Sequence, residues 1–220
     1  MTRVRLRSSA SAARAQTRVY AAHADVLVAQ LRQEIGAPAA PAGSAALVVL
    51  MGYPGVGKSH CARLLAERLG AARVASDQLR SRLFIAATYA EDENATIFAC
   101  VNALVDGLLA EGHRVIVDAT NLLARYRAAS VLAAERRKAP ILFVRIVSDE
   151  AAIRARLSAR RTARAVHDHS DADERIYEVM RARPFEPPAE GFLELANGPG
   201  LDAEVERIAR EVERVCAPAS

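Results

Sequence analysis

One segment restricts the fold of this 220-residue chain more than any other: ALVVLM-GYPGVGKS-HCARLLAERL, residues 46–69. A short continuous apolar run fits a strand buried on both faces, as in a parallel sheet. The eight residues after it satisfy G-x-x-x-x-G-K-[ST], and a helical pattern follows at once. Glycines let consecutive backbone N–H groups converge on phosphate oxygens, and the helix N-terminus adds its positive dipole end. The segment is therefore read as a cradle for a nucleotide's phosphates, formed by Gly52, Pro54, Gly55, Val56 and Gly57 with Lys58, Ser59 and His60 at the helix start. Lys58 is expected to reach the β- and γ-phosphates of ATP, and the Ser59 hydroxyl to ligate Mg²⁺.

The rest of the chain continues the alternation. Apolar runs recur at 73–75, 115–117, 141–147 and, more weakly, 192–195. Helical periodicity covers 61–69, 78–86, 92–110, 122–138, 150–164, 173–183 and 203–215. Alternating strands and helices predict a doubly wound α/β fold with right-handed crossovers. A domain over 46–220 is large enough to bury roughly 70% of the surface its unfolded chain exposes. Upstream, residues 1–12 are read as disordered and 13–36 as an amphipathic helix with Tyr20, Ala24, Leu27, Leu31 and Ile35 on one stripe. Residues 37–45 form a Gly/Pro-rich linker. The stripe must cover either the main domain or a second copy, so a homodimer through this helix is one expectation. The acid-poor opening has the composition of a transit peptide or of a start codon placed too early.

No apolar run approaches bilayer-spanning length on this reading, so a soluble, cytoplasmic protein without membrane contact is expected. Cys61, Cys100 and Cys216 match no metal or redox spacing and fit a reducing compartment. The net charge of +4 is carried almost wholly by arginine and suits a protein that handles phosphates.

Other stations must say what is done with the phosphates. No [NT]-K-x-D segment reads guanine, and the chain is too short for a motor with a helical lid domain. A small phosphotransferase remains, which needs a base for an acceptor hydroxyl and cations for the phosphoryl oxygens. Asp77 follows the second strand on the carboxyl edge of the sheet, where it either activates the hydroxyl or, with Ser76, caps the next helix. Arg80 lies one helical turn further on the same face, placed to hold an anionic group of the acceptor. Asp118 ends the third strand and is a candidate for holding magnesium through water. Thr120 and Asn121 are placed to bond phosphate or orient the base, and Arg125 and Arg127 face either the acceptor or solvent. In AAIRARLSARRTARAV, residues 151–166, Arg154, Arg156, Arg160, Arg161 and Arg164 crowd three turns. Such crowding points to a lid, about 150–183, that closes on ATP phosphates, with a solvated face as the alternative. His167 and His169 stand in an acidic loop with nothing to complete a metal site.

Together these segments resemble the P-loop kinase family that contains the polynucleotide 5′-hydroxyl kinases and many small bacterial kinases. The likeness covers about residues 46–185. It implies a parallel sheet in the order 2-3-1-4-5, Asp77 as general base and Arg80 on the acceptor, from the family's D-x-x-R element. It implies a lid in which Arg156 and Arg160 meet the nucleotide, Arg160 foremost, and an adenine near residues 197–200. The polynucleotide kinases of the family often have the acid directly before Thr-Asn, where this chain has Ala119. The resemblance implies transfer of the γ-phosphoryl group of ATP to a hydroxyl, with a nucleic-acid 5′ end as the named acceptor and a sugar, nucleoside or antibiotic hydroxyl as the alternative. An ATP-binding regulator or toxin-like module acting on a partner protein is the reading from a different class.

Overall fold

A computed structural model describes residues 24–41, 43–84, 91–162, 174–182 and 185–217. The proposed disordered segment, the start of the N-terminal helix, His167 and His169 lie outside them.

In chain order the elements are α1 (Ala24–Glu34), β1 (Ala46–Met51), α2 (Lys58–Leu69), β2 (Ala72–Ala75), α3 (Ser76–Leu83), α4 (Glu91–Ala110), β3 (Arg114–Asp118), α5 (Ala124–Arg137), β4 (Ile141–Val147), α6 (Glu150–Thr162), α7 (Glu174–Arg181), β5 (Leu193–Ala196) and α8 (Leu201–Cys216). All four strand pairings are parallel, in the order β2-β3-β1-β4-β5. The 2-3-1-4-5 arrangement implied by resemblance is thus the arrangement found. β1 and β3 are buried along their whole length, which is why they read as unbroken apolar runs rather than alternating ones.

Two apolar layers flank the sheet. Val49, Met51, Val115 and Val117 pack on one side with Leu79, Ile97, Val101 and Leu104. Val48, Leu50, Ile116 and Val144 pack on the other with Leu65, Leu157 and Ile208. By length and composition α4 would suffice to cross a membrane, which the sequence reading had not anticipated. Its residues Ile97, Val101, Leu104, Val105 and Leu108 are instead buried in the first layer. The N-terminal helix uses its stripe on the same layer, with Leu31 buried and Val28 and Ile35 packed beside it. Ion pairs from Arg32 to Glu111 and from Arg82 to Glu34 flank that contact.

Register fixes what meets at the carboxyl edge. Ala75 stands beside Asp118 and Val49 beside Val117, so the segments leaving β1, β2 and β3 emerge side by side.

Candidate active site

The cradle leaves β1 with Gly52, whose φ of 150° belongs to the region that favours glycine. Its amide donates to Thr120 O at 3.0 Å, joining the loop to the segment after β3. A Cβ at Gly52 would lie 2.8 Å from the backbone oxygen of Ile146, which has little room to yield. Gly57, at φ 92°, precedes the first residue of α2. Lys58 Nζ donates to Tyr53 O at 2.9 Å, and the side chain of Ser59 is exposed at the helix start. His60 is exposed too, and its amide is taken by Gly57 O.

Two residues brace the loop from outside. Asn197, just past β5, donates from Nδ2 to Val56 O at 2.7 Å. Arg156 of α6 donates from one terminal nitrogen to Gly55 O, Val56 O and Ser148 Oγ, at 3.2, 3.4 and 3.0 Å. Its guanidinium therefore holds the loop's carbonyls. Sequence reasoning had put Arg156 on the nucleotide and had given Asn197 no bracing part. A single asparagine carries no periodic signal, and only the sheet order shows that β5 ends beside the loop.

Asp118 is buried, at 4% exposure, and its Oδ2 has no hydrogen-bond partner among the described residues. Burial raises its pKa; Arg73, Lys58 and the Ser59 hydroxyl pull it back down, and the charge of Asp77 adds to the rise. Four residues from three separate segments thus act on one carboxylate. Arg73 extends from β2 to within 3.9 Å of Asp118 Oδ2 and 3.5 Å of Ser59 O. It was absent from the sequence-derived site, although a lone arginine in an apolar strand was a visible signal. Beneath the loop, burial pushes the Cys61 thiol up to about 11, which makes it unreactive.

The orphaned carboxylate oxygen beside a serine hydroxyl suits a hard, oxygen-seeking cation. Among the described residues no three His, Cys, Asp or Glu side chains form a metal cluster; Ser59 and Asp118 are the residues that would hold a magnesium ion here. Such an ion would neutralise phosphoryl charge.

Asp77 is half-buried in the first turn of α3. No side chain caps that helix, so the capping alternative is not what these residues do. Ser76 Oγ instead donates to Asp118 O at 3.4 Å, holding the start of α3 to the end of β3.

Three residues assigned to the acceptor side are used otherwise. Asn121, at φ 46°, is buried and donates from Nδ2 to Leu50 O at 2.9 Å. Asparagine tolerates that left-handed geometry, and here it serves the backbone. Arg127 is buried, donating to Asn121 O at 2.7 Å and Glu186 O at 2.6 Å. Arg80 is 5% exposed, ion-paired with Glu93 and bonded to Asn94 Oδ1 at 2.7 Å. Arg125 alone of the acceptor-side arginines is exposed; it lies over Tyr126, whose ring stacks on Phe98 with centroids 4.7 Å apart.

The crowding argument for the lid also changes. Arg154 is neutralised by Glu150 on its own helix and by Glu174 and Glu178, which fasten α6 to α7. For Arg154, protein carboxylates supply the anions that had been ascribed to ATP. Arg160 lies on α6, and its side chain is outside the described residues.

The cradle, the sheet order and the arginine-bearing helices define a P-loop nucleotide-binding α/β fold of the kinase type. The chain belongs to the AAA_33 family, described as an AAA domain, which matches residues 47–188. The description names a domain, not a motor activity. Among solved structures the chain is similar to a putative kinase from Chloroflexus aurantiacus (TM-score 0.64, 18% identity, covering 78% of this chain and 98% of that one). It is similar as well to Chaetomium thermophilum Kti12 in complex with ADP-AlF3 (0.63, 21%, 78% and 100%). A third is the Mycobacterium tuberculosis APS kinase CysC in complex with AMPPNP and APS (0.56, 22%, 78% and 99%). At these identities the likeness is one of fold. No curated protein matches the chain.

Proposed function

We propose that this protein is an ATP- and Mg²⁺-dependent kinase that transfers the γ-phosphoryl group to a hydroxyl, with Asp77 as general base. The observation that carries this reading is the gathering of Arg73, Lys58, Ser59 and Asp77 around the buried Asp118 carboxylate, beside the cradle. In the proposed reaction Asp77 takes the acceptor's proton, the acceptor oxygen bonds to Pγ, and the bond from Pγ to the β–γ bridging oxygen breaks to release ADP. Lys58 and the loop amides hold the phosphates, with Arg160 closing from the lid. Nucleotides in the two similar structures named above support ATP as donor.

The acceptor we favour is a small molecule. A nucleic-acid strand needs cations along its phosphates, yet Arg80 is paired with Glu93 and Arg127 is engaged with backbone carbonyls inside the fold. The 5′-hydroxyl end of a polynucleotide is the second reading, favoured by the exposed Arg125 over the Tyr126–Phe98 stack, which offers both charge and a π-face. A panel of sugars, nucleosides and 5′-hydroxyl oligonucleotides incubated with γ-labelled ATP, read for labelled product, tests both. Label in a small hydroxyl compound supports the first, label in the oligonucleotide supports the second, and no labelled product in any lane contradicts the kinase reading.

A further inference from the structure

Arg80 follows Asp77 by one helical turn, which makes it the fixed cation on α3 nearest the proposed base. An unopposed guanidinium there would attract a phosphate, sulfate or carboxylate on the acceptor. It is opposed. Glu93, 3% exposed, pairs with it from the first turn of α4, and Asn94 accepts a second hydrogen bond. Glu91 and Asp92 precede Glu93 in the same turn. A buried pair of this kind presents little net charge, whereas removing either partner leaves the other charge uncompensated.

An anionic acceptor would have to displace Glu93 from Arg80, leaving a buried carboxylate beside a second anion. Asp77 adds a further carboxylate on the same edge; the cations there, Arg73 and Lys58, act on Asp118, and in the proposed reaction Lys58 serves the nucleotide. An uncharged acceptor meets none of these penalties. We propose that Glu93 is a specificity-determining residue: by cancelling Arg80 it restricts the acceptor to uncharged hydroxyl compounds, such as a polyol, a free sugar or a nucleoside without phosphate. The proposal rests on the kinase reading for the word acceptor, but the charge-cancelling role is measurable without turnover.

With Mg²⁺ and a non-hydrolysable ATP analogue saturating the cradle, inorganic sulfate is the probe, followed by calorimetry. The parent chain should bind it at least about tenfold more weakly than Glu93→Gln, a difference of about 1.4 kcal/mol. The double variant Arg80→Gln/Glu93→Gln should lose that gain. Glu93→Asp, which draws the carboxylate back by one methylene, should give a smaller gain of the same sign and serves if the Gln variant does not fold. Equal sulfate binding by parent and single variants, or a gain that survives loss of Arg80, overturns the proposal. In transfer assays with acceptor pairs differing by one phosphate, the parent should prefer the uncharged member, and Glu93→Gln should narrow that preference at least tenfold with an unchanged KM for ATP. A parent that prefers the phosphorylated member, or a variant that loses both members equally, also overturns it. Transfer to no acceptor at all, alongside the sulfate result foreseen, defeats the kinase reading and leaves the role of Glu93 intact.

Discussion

The guanidinium of Arg73 reaches from within β2, where the residue pairs with Ile116, to 3.9 Å from Oδ2 of the buried Asp118 at the end of β3. That spacing is longer than a hydrogen bond and leaves the oxygen open to a further partner. Burial nevertheless dominates, so the carboxyl group is harder to ionise in the folded chain than in the unfolded one.

The sign of the resulting pH dependence follows. The folded state holds this proton more tightly, so above about pH 4 the buried carboxylate lowers stability progressively as pH rises through its raised folded pKa. Asp118→Asn should therefore melt close to the parent in acid and above it at neutral and alkaline pH without nucleotide. The same variant should weaken magnesium-dependent nucleotide binding. Melting curves across pH check the first statement; a gap that shrinks as pH rises contradicts it.

Gly57 and Asn197 should be coupled. A Cβ at Gly57 would lie 2.0 Å from Asn197 Nδ2, and φ there is 92°. Gly57→Ala carries a left-handed backbone cost of about 1–2 kcal/mol plus the clash. In an Asn197→Ala background the clash part should disappear. A double-mutant cycle on unfolding free energy reads the coupling, and strict additivity would contradict it.

Arg127 is assigned to bracing rather than to the acceptor. Arg127→Met removes two hydrogen bonds to buried-side carbonyls and should cost roughly 2–4 kcal/mol of stability. Below its melting point the variant should keep the parent's acceptor KM; a large rise in that KM with unchanged stability would return Arg127 to the substrate.

The ion pairs of Arg154 should matter locally and not globally. Exposed pairs contribute little to overall stability and are screened by salt. Arg154→Gln should leave the melting temperature nearly unchanged while amides of α7 exchange faster, and high salt should reproduce that in the parent. Hydrogen exchange resolved by segment reads it, and unchanged α7 protection would contradict the role.

The fold was legible because its signals are local: apolar runs for doubly buried strands, periodicity for helices, and a loop whose spacing has a mechanical reason. β1 and β4 were read at their observed limits, and the other strands differ by about a residue at either end. Side-chain partners were less legible because they are set by register and crossover. Nothing local says that Glu93 of α4 meets Arg80 of α3, that Arg156 turns toward carbonyls, or that Asn121 reaches back to Leu50. Charged residues announced that they would be used, but not for what.

In the proposed reaction Asp77 accepts the proton of a hydroxyl facing the γ-phosphate. The most direct measurement is transfer from labelled ATP by Asp77→Asn, on whichever acceptor the parent uses, together with its affinity for the ATP analogue. Nucleotide affinity within about twofold of the parent and kcat lower by about 10²–10⁴ is the outcome foreseen. Unchanged kcat in a folded, nucleotide-binding variant would contradict it.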